Sequence, residues 1–182
     1  MRKRITFELI PIFLIFISCG SGMSTLKSSE FRTIDSSFSG TFKNLSYKNI
    51  REHNSGYEFD NLGILKLLEI DVQNVDSVNL SFASDNSLVI KYSDSTGIRT
   101  ENFKGQFSKK GFYEFYFRKK NIQIPPLLPV IYSRNITDRI RITLTLDNDL
   151  LIDNYTARSG NLLFFGGGGN SSSIYYFEPI SK

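Results

Sequence analysis

Ile140, Ile142, Leu144 and Leu146 alternate with Arg139, Arg141, Thr143 and Thr145, a two-residue period that a strand can sort into faces and a helix cannot. The pattern predicts a strand with the aliphatic set inward and the arginines and threonines in water. Val78, Leu80 and Phe82 alternate in the same way with Ser77, Asn79 and Ser81, and a turn at Ser84-Asp85-Asn86-Ser87 leads on to Leu88, Ile90 and Tyr92. That is a hairpin. Asp147-Asn148-Asp149 turns the chain into a further strand at 150–156, and others are expected at 98–104, 111–118, 130–134 and 173–178, with weaker ones at 121–124 and 161–165. Turn residues recur every ~8 to 12 positions, so the expectation is an all-β, mainly antiparallel fold of about 8 to 10 strands, either an up-and-down barrel or a sandwich. The barrel is favoured, because short turns join neighbouring strands and closure removes exposed edges.

A single helix is expected near residues 61–70. Leu62, Ile64, Leu65, Leu67 and Leu68 fall at helical spacing, Asp60 or Asn61 can cap the first turn, and Gly63 weakens it.

The chain begins with Arg2, Lys3 and Arg4, then the apolar run Leu9 to Ile17, then its only cysteine, Cys19. The run is too short for a membrane span, which needs about 20 apolar residues, and Glu8 and Pro11 flank and break it. This start resembles the signal of bacterial lipoproteins, with Phe16-Ile17-Ser18-Cys19 at the position of the lipobox. Ser18 matches the small residue before the cut and Cys19 the cysteine; Phe16 and Ile17 stand where the family has a leucine and a small residue. The resemblance implies a signal peptide at residues 1–18, cleavage between Ser18 and Cys19, and lipid on the Cys19 thiol and amine. It also implies the bacterial cell envelope, and Gly20 rather than an aspartate after the cysteine points to the outer membrane. Residues 19–35, rich in Ser, Gly and Thr, are expected to tether a single β-rich domain at 36–182. Phe38-Ser39-Gly40-Thr41-Phe42 is faintly similar to the opening of lipocalin-like barrels, with Phe42 in the tryptophan's place; that likeness implies a binder of a small apolar or amphipathic ligand.

Charge is uneven. Without residues 1–18 the net charge is +2, yet residues 104–141 alone sum to +7. Lys109, Lys110, Arg118, Lys119 and Lys120 lie there among Phe112, Tyr113, Phe115, Tyr116 and Phe117, either as solvated strand faces or as contacts for an anionic envelope component. Lys110-Gly111-Phe112 and Phe117 match part of an RNA-recognition signature, but Tyr113 and Glu114 break it, and no nucleic-acid partner is expected. Pro125, Pro126, Leu127 and Leu128 belong to an apolar stretch that three prolines bar from a central strand. Leu162-Leu163-Phe164-Phe165 runs into Gly166-Gly167-Gly168-Gly169, which reads as a buried strand with a flexible loop, or as a loop tip touching lipid or a ligand. These two segments are the candidates for an apolar mouth.

Catalytic chemistry is thin. His53 is the only histidine, no Gly-x-Ser-x-Gly elbow occurs, the four glycines lack the Lys and Ser/Thr of a phosphate loop, and Asp147 to Asp153 lacks the glycine and glutamate of a calcium loop. No metal, cofactor or catalytic residue is assigned. The leading expectation is a non-enzymatic envelope lipoprotein with a structural or interaction role. A lipocalin-like binder comes second and a hydrolase using a carboxylate pair third.

Overall fold

The computed structural model describes residues 30–51, 61–124, 132–163 and 165–180. Strands β1 (Phe31–Arg32), β2 (Ser39–Lys43) and β3 (Lys48–Arg51) precede a short helix α1 (Ile64–Leu67). There follow β4 (Ser77–Phe82), β5 (Leu88–Asp94), β6 (Gly97–Phe103), β7 (Gln106–Phe107), β8 (Tyr113–Ile124), β9 (Tyr132–Thr145), β10 (Leu150–Leu162) and β11 (Phe165–Phe177). All pairing is antiparallel. Four strands form one sheet in the order β2-β4-β5-β6; seven form the other, in the order β3-β11-β10-β9-β8-β7, with β1 on β9. The expected all-β class is correct, but the favoured barrel is not: neither sheet closes, and the two instead face each other across one core.

Hydrophobic alternation builds that core. Val78, Leu80, Leu88 and Ile90 of the smaller sheet meet Tyr113, Phe115, Ile140, Ile142, Leu150, Ile152 and Phe177 of the larger, each such aliphatic side chain contributing about 1.5–3 kcal/mol by leaving water. Rings join the layers: Phe82 lies 4.8 Å from both Phe107 and Tyr113, and Phe103 5.1 Å from Phe115. The Tyr113 hydroxyl accepts the Leu88 N–H at 3.2 Å and reaches the carbonyls of Phe103 at 2.9 Å and Asn86 at 3.0 Å. One side chain thus stitches the two sheets.

The helix is shorter than the spacing suggested, and its cap comes from elsewhere. The Asn44 side chain accepts the Leu65 N–H at 3.1 Å, and its carbonyl accepts the Ile64 N–H at 2.7 Å; Asp60 lies outside the described residues. At the far end Glu69 is left-handed (φ 58°), and the Ile70 and Glu69 N–H groups bond back to Leu65 and Lys66, which closes the turn as a Schellman motif. Three turns share a second device. Asp35, Asp85 and Asp94 each accept the backbone N–H and hydroxyl of the residue two positions on, Ser37, Ser87 or Thr96. Those bonds favour the carboxylate and hold all three aspartates below the usual carboxylate range.

Three expectations about the strands need correction. Within the described residues the strands expected at 130–134 and 139–146 fall in one continuous strand, β9, as 111–118 and 121–124 largely do in β8. Residues 31–34, assigned above to the tether, join the fold: β1 pairs with Leu144 and Thr145, and Ile34 is buried. Arg139, Arg141 and Thr143 do not face water; they are buried, and it is Leu146 that is exposed.

Candidate functional site

Strands β8 to β11 are much longer than the core they cover. From the rung Arg118–Asp138–Thr156–Ser171 to the rung Ile124–Tyr132–Leu162–Phe165 the register is unbroken over seven rungs, a projection of about 20 Å at 3.3 Å per residue. In those rungs only Asp138 is buried. A β-bulge between Tyr116 and Arg118 marks where β8 leaves the core, with Phe117 still packed on Phe103 and Phe115; bulges add local twist and re-aim a strand.

The last rung is apolar across its whole width. Ile124, Leu162 and Phe165 are exposed, Phe165 by 82%, Tyr132 is half-buried beside them, and the exposed Leu163 forms the turn in a left-handed conformation (φ 54°). The expectation that this segment is a buried strand with a loose glycine loop is therefore wrong. Gly166 to Gly169 are paired rung by rung with Asn161 to Arg158. Their bareness serves close approach: a Cβ on Gly168 would come within 2.6 Å of Ser159, and one on Gly160 within 2.5 Å of the Ser133 carbonyl, whereas Gly167 and Gly169 face open space. Next to the end rung lies an open groove of about 530 Å³ lined by Tyr132, Arg134, Arg158, Leu162 and Phe165.

The projection is strongly basic. Residues 118–124, 132–138, 156–162 and 165–171 carry five basic side chains against one acid, Asp138. Asp138 holds Arg118 at 2.8 Å and Arg158 at 3.9 Å. Lys119 lies 4.8 Å over the Tyr116 ring, and among the described residues Lys119, Lys120 and Arg134 have no carboxylate partner. Lys109 and Lys110 are elsewhere, in the turn before β8 at the opposite end of that strand. The four lysines and one arginine proposed from sequence as one anionic contact thus divide into two sites, about 30 Å apart along the strand direction. Pro125, Pro126, Leu127, Leu128, Phe164, His53, Ser18 and Cys19 lie outside the described residues.

Sequence reasoning missed the buried charge behind the core. On the face of the larger sheet turned away from the smaller one, Arg141 lies 3.8 Å from both Glu114 and Asp153, and Arg139 4.0 Å from Glu114. Ser172 donates to Asp153 at 2.6 Å, and the guanidinium carbons of Arg139 and Arg141 stand 4.7 and 4.9 Å over Tyr155 and Phe112. Burial and then the neighbouring Arg139 push the Arg141 guanidinium below its ordinary pKa, while Asp153 and Glu114 pull it back. Phe112, Leu151, Ile174 and Tyr176 form a second small apolar cluster on this face. The signal was present in the unbroken runs Leu150-Leu151-Ile152 and Ile174-Tyr175-Tyr176-Phe177, which mark strands buried on both faces.

No group of three or more metal-ligating side chains occurs among the described residues. The aspartates that mimic a calcium loop are divided between tasks: Asp149 accepts the Tyr47 hydroxyl at 2.5 Å and Asp153 faces Arg141. No helix among the described residues is long and apolar enough to cross a membrane. No protein family, curated protein or solved structure matches this chain.

Proposed function

We propose that the chain is a lipid-anchored protein of the bacterial envelope, held at the outer membrane through Cys19, that acts by contact rather than by catalysis. The observation that carries the contact role is the projecting sheet: seven rungs in which only Asp138 is buried, with basic sides and an apolar end. A sheet that served only to cover the core would stop where the core stops, since uncovered strands bury little and leave open edges. The anchor rests on the resemblance of Phe16-Ile17-Ser18-Cys19 to a lipobox, and two or more acyl chains hold a protein stably to a bilayer.

A small-ligand role has one observation in its favour. The groove beside the end rung, about 530 Å³, falls within the usual range of ligand pockets, roughly 300–1,000 Å³. It is open to solvent on the projecting sheet, however, whereas a lipocalin-like site lies inside the fold. Where that interior site would be, Tyr113, Phe115, Phe103 and Ile90 fill the space between the sheets. Glu114 and Asp153, two carboxylates brought to one place by the fold, both face Arg141.

The test of the anchor is Cys19→Ser in the native host. The expected outcome is loss of acyl mass; an unchanged acyl mass would overturn the anchor.

A further inference from the structure

We infer that the end of the projecting sheet at Ile124, Tyr132, Leu162 and Phe165 is a membrane-insertion tip for bilayers rich in anionic lipid. Ile124, Leu162, Leu163 and Phe165 enter the acyl region, and Arg134, Lys120 and Arg158 meet the headgroup phosphates. This deepens the contact role proposed above by naming its partner, and it does not depend on Cys19 being acylated.

Three observations converge on a lipid surface. First, the apolar residues are gathered at one end and exposed: Ile124, Leu162, Leu163 and Phe165 are 56, 63, 54 and 82% accessible. Exposed clusters of large apolar side chains mark binding sites or membrane contacts. Second, the charges are graded by depth. The end rung has no ionisable group but the Tyr132 phenol, and the rung behind it, Gln123–Ser133–Asn161–Gly166, is uncharged. Arg134 stands in the third rung, about 7 Å from the end, and Lys120 and Arg158 share the fifth, about 13 Å from it. Amphipathic elements settle about 5–10 Å into the headgroup and acyl boundary, which brings Arg134 to the phosphates and Lys120 and Arg158 to the outer headgroup layer. Third, the sign of the charge is almost uniform. Asp138, the one acid in the projection, lies in the seventh rung behind the end, where it pairs with Arg118 and Arg158 and is itself buried.

An apolar groove for a protein partner would not need this grading of cations behind the tip. A hairpin end entering an anionic bilayer does, since juxtamembrane Lys and Arg each gain from the negative surface potential. Tyr132, with its ring in the last rung, occupies the place where tyrosine is enriched at membrane interfaces.

The chain has no tryptophan, so one can be placed as a local reporter. Two full-length chains carry Cys19→Ser, to remove any acyl group, and one reporter each: Phe165→Trp at the tip, or Leu146→Trp, exposed at the opposite end of the same sheet. On vesicles of phosphatidylcholine with phosphatidylglycerol, the Phe165→Trp emission should shift to the blue and be quenched by brominated acyl chains, with Leu146→Trp unchanged. Adding Lys120→Gln and Arg134→Gln to the tip reporter should weaken partitioning about 30-fold, from ~1 kcal/mol for each basic group at an anionic surface. No shift at Phe165→Trp, a shift at Leu146→Trp instead, or equal partitioning onto pure phosphatidylcholine would each overturn the inference. A chain whose tip inserts in vesicles but whose Cys19→Ser form stays acylated and membrane-bound in cells would refute the anchor alone.

Discussion

Arg141 shows how a single side chain can contradict the pattern that places it. Its neighbours Ile140 and Ile142 are both buried, and a two-residue period then assigns Arg141 to solvent; yet it is 1% exposed, among Glu114, Asp153 and Phe112. Periodicity reports that two faces differ, not that one of them is wet. The buried ion cluster should be costly to break in part. Arg141→Ala leaves Asp153, itself 2% exposed, with the Ser172 hydroxyl but without the guanidinium charge beside it, and should cost about 3–5 kcal/mol, as removal of one partner of a buried pair does. Urea denaturation would measure it, and a loss below about 1 kcal/mol would show that the cluster is hydrated in solution.

At the scale of elements, the glycine run is where sequence and structure part most clearly. Four consecutive glycines between Phe165 and Asn170 have the composition of a loop, but here they are the outer half of a strand. What made this illegible is that a bare strand has no side-chain period to read; its register comes from β10, whose Ser159 and Arg158 pack against it. The run should therefore respond to alanine by face. Gly167→Ala points into open space and should be neutral or stabilising by up to about 1 kcal/mol, through the unfolded chain's lost freedom. Gly168→Ala meets Ser159 and the Arg158 carbonyl and should destabilise. Equal melting temperatures for the two variants would mean that the strand is not paired as described. By contrast, the turns at Asp85 and Asn148, the hairpin of β4 and β5, and the inward set Val78, Leu80, Leu88 and Ile90 were all readable, because each couples a turn residue to an alternating run.

For the whole molecule, fold class was legible and closure was not. Antiparallel pairing follows from short turns, but whether the outer strands meet depends on twist and length accumulated over many residues, which no local pattern carries. One global property can be tested simply. Tyr47, Tyr92, Tyr113, Tyr175 and Tyr176 all have phenols pushed above the ordinary value, by burial first, and Tyr47, bonded to Asp149, is raised to about 12. A raised folded-state value keeps the phenol protonated while the unfolded chain ionises from its model value of 10.0. Stability should thus be fully present below pH 10.0 and fall as the pH climbs through the raised values, for Tyr47 up to about 12. Denaturant midpoints that stay level from about pH 9 to about pH 11 would contradict the burial of Tyr92, Tyr113, Tyr175 and Tyr176.

The place where β1 joins the larger sheet has a consequence for reach. Phe31 pairs with Thr145, at one end of β9, and the apolar tip lies beside Tyr132, at the other, about 43 Å away at 3.3 Å per residue. The chain from Cys19 to Glu30 spans at most about 40 Å when fully extended. Even fully extended, that chain falls about 3 Å short of the length a protein held by Cys19 would need to double back and bring its tip level with the anchor. Standing upright, it needs none. The proportions are those of a strut with a foot at each end, suited to touching a second surface across a gap, and the length of β9 would set the narrowest gap it could bridge upright.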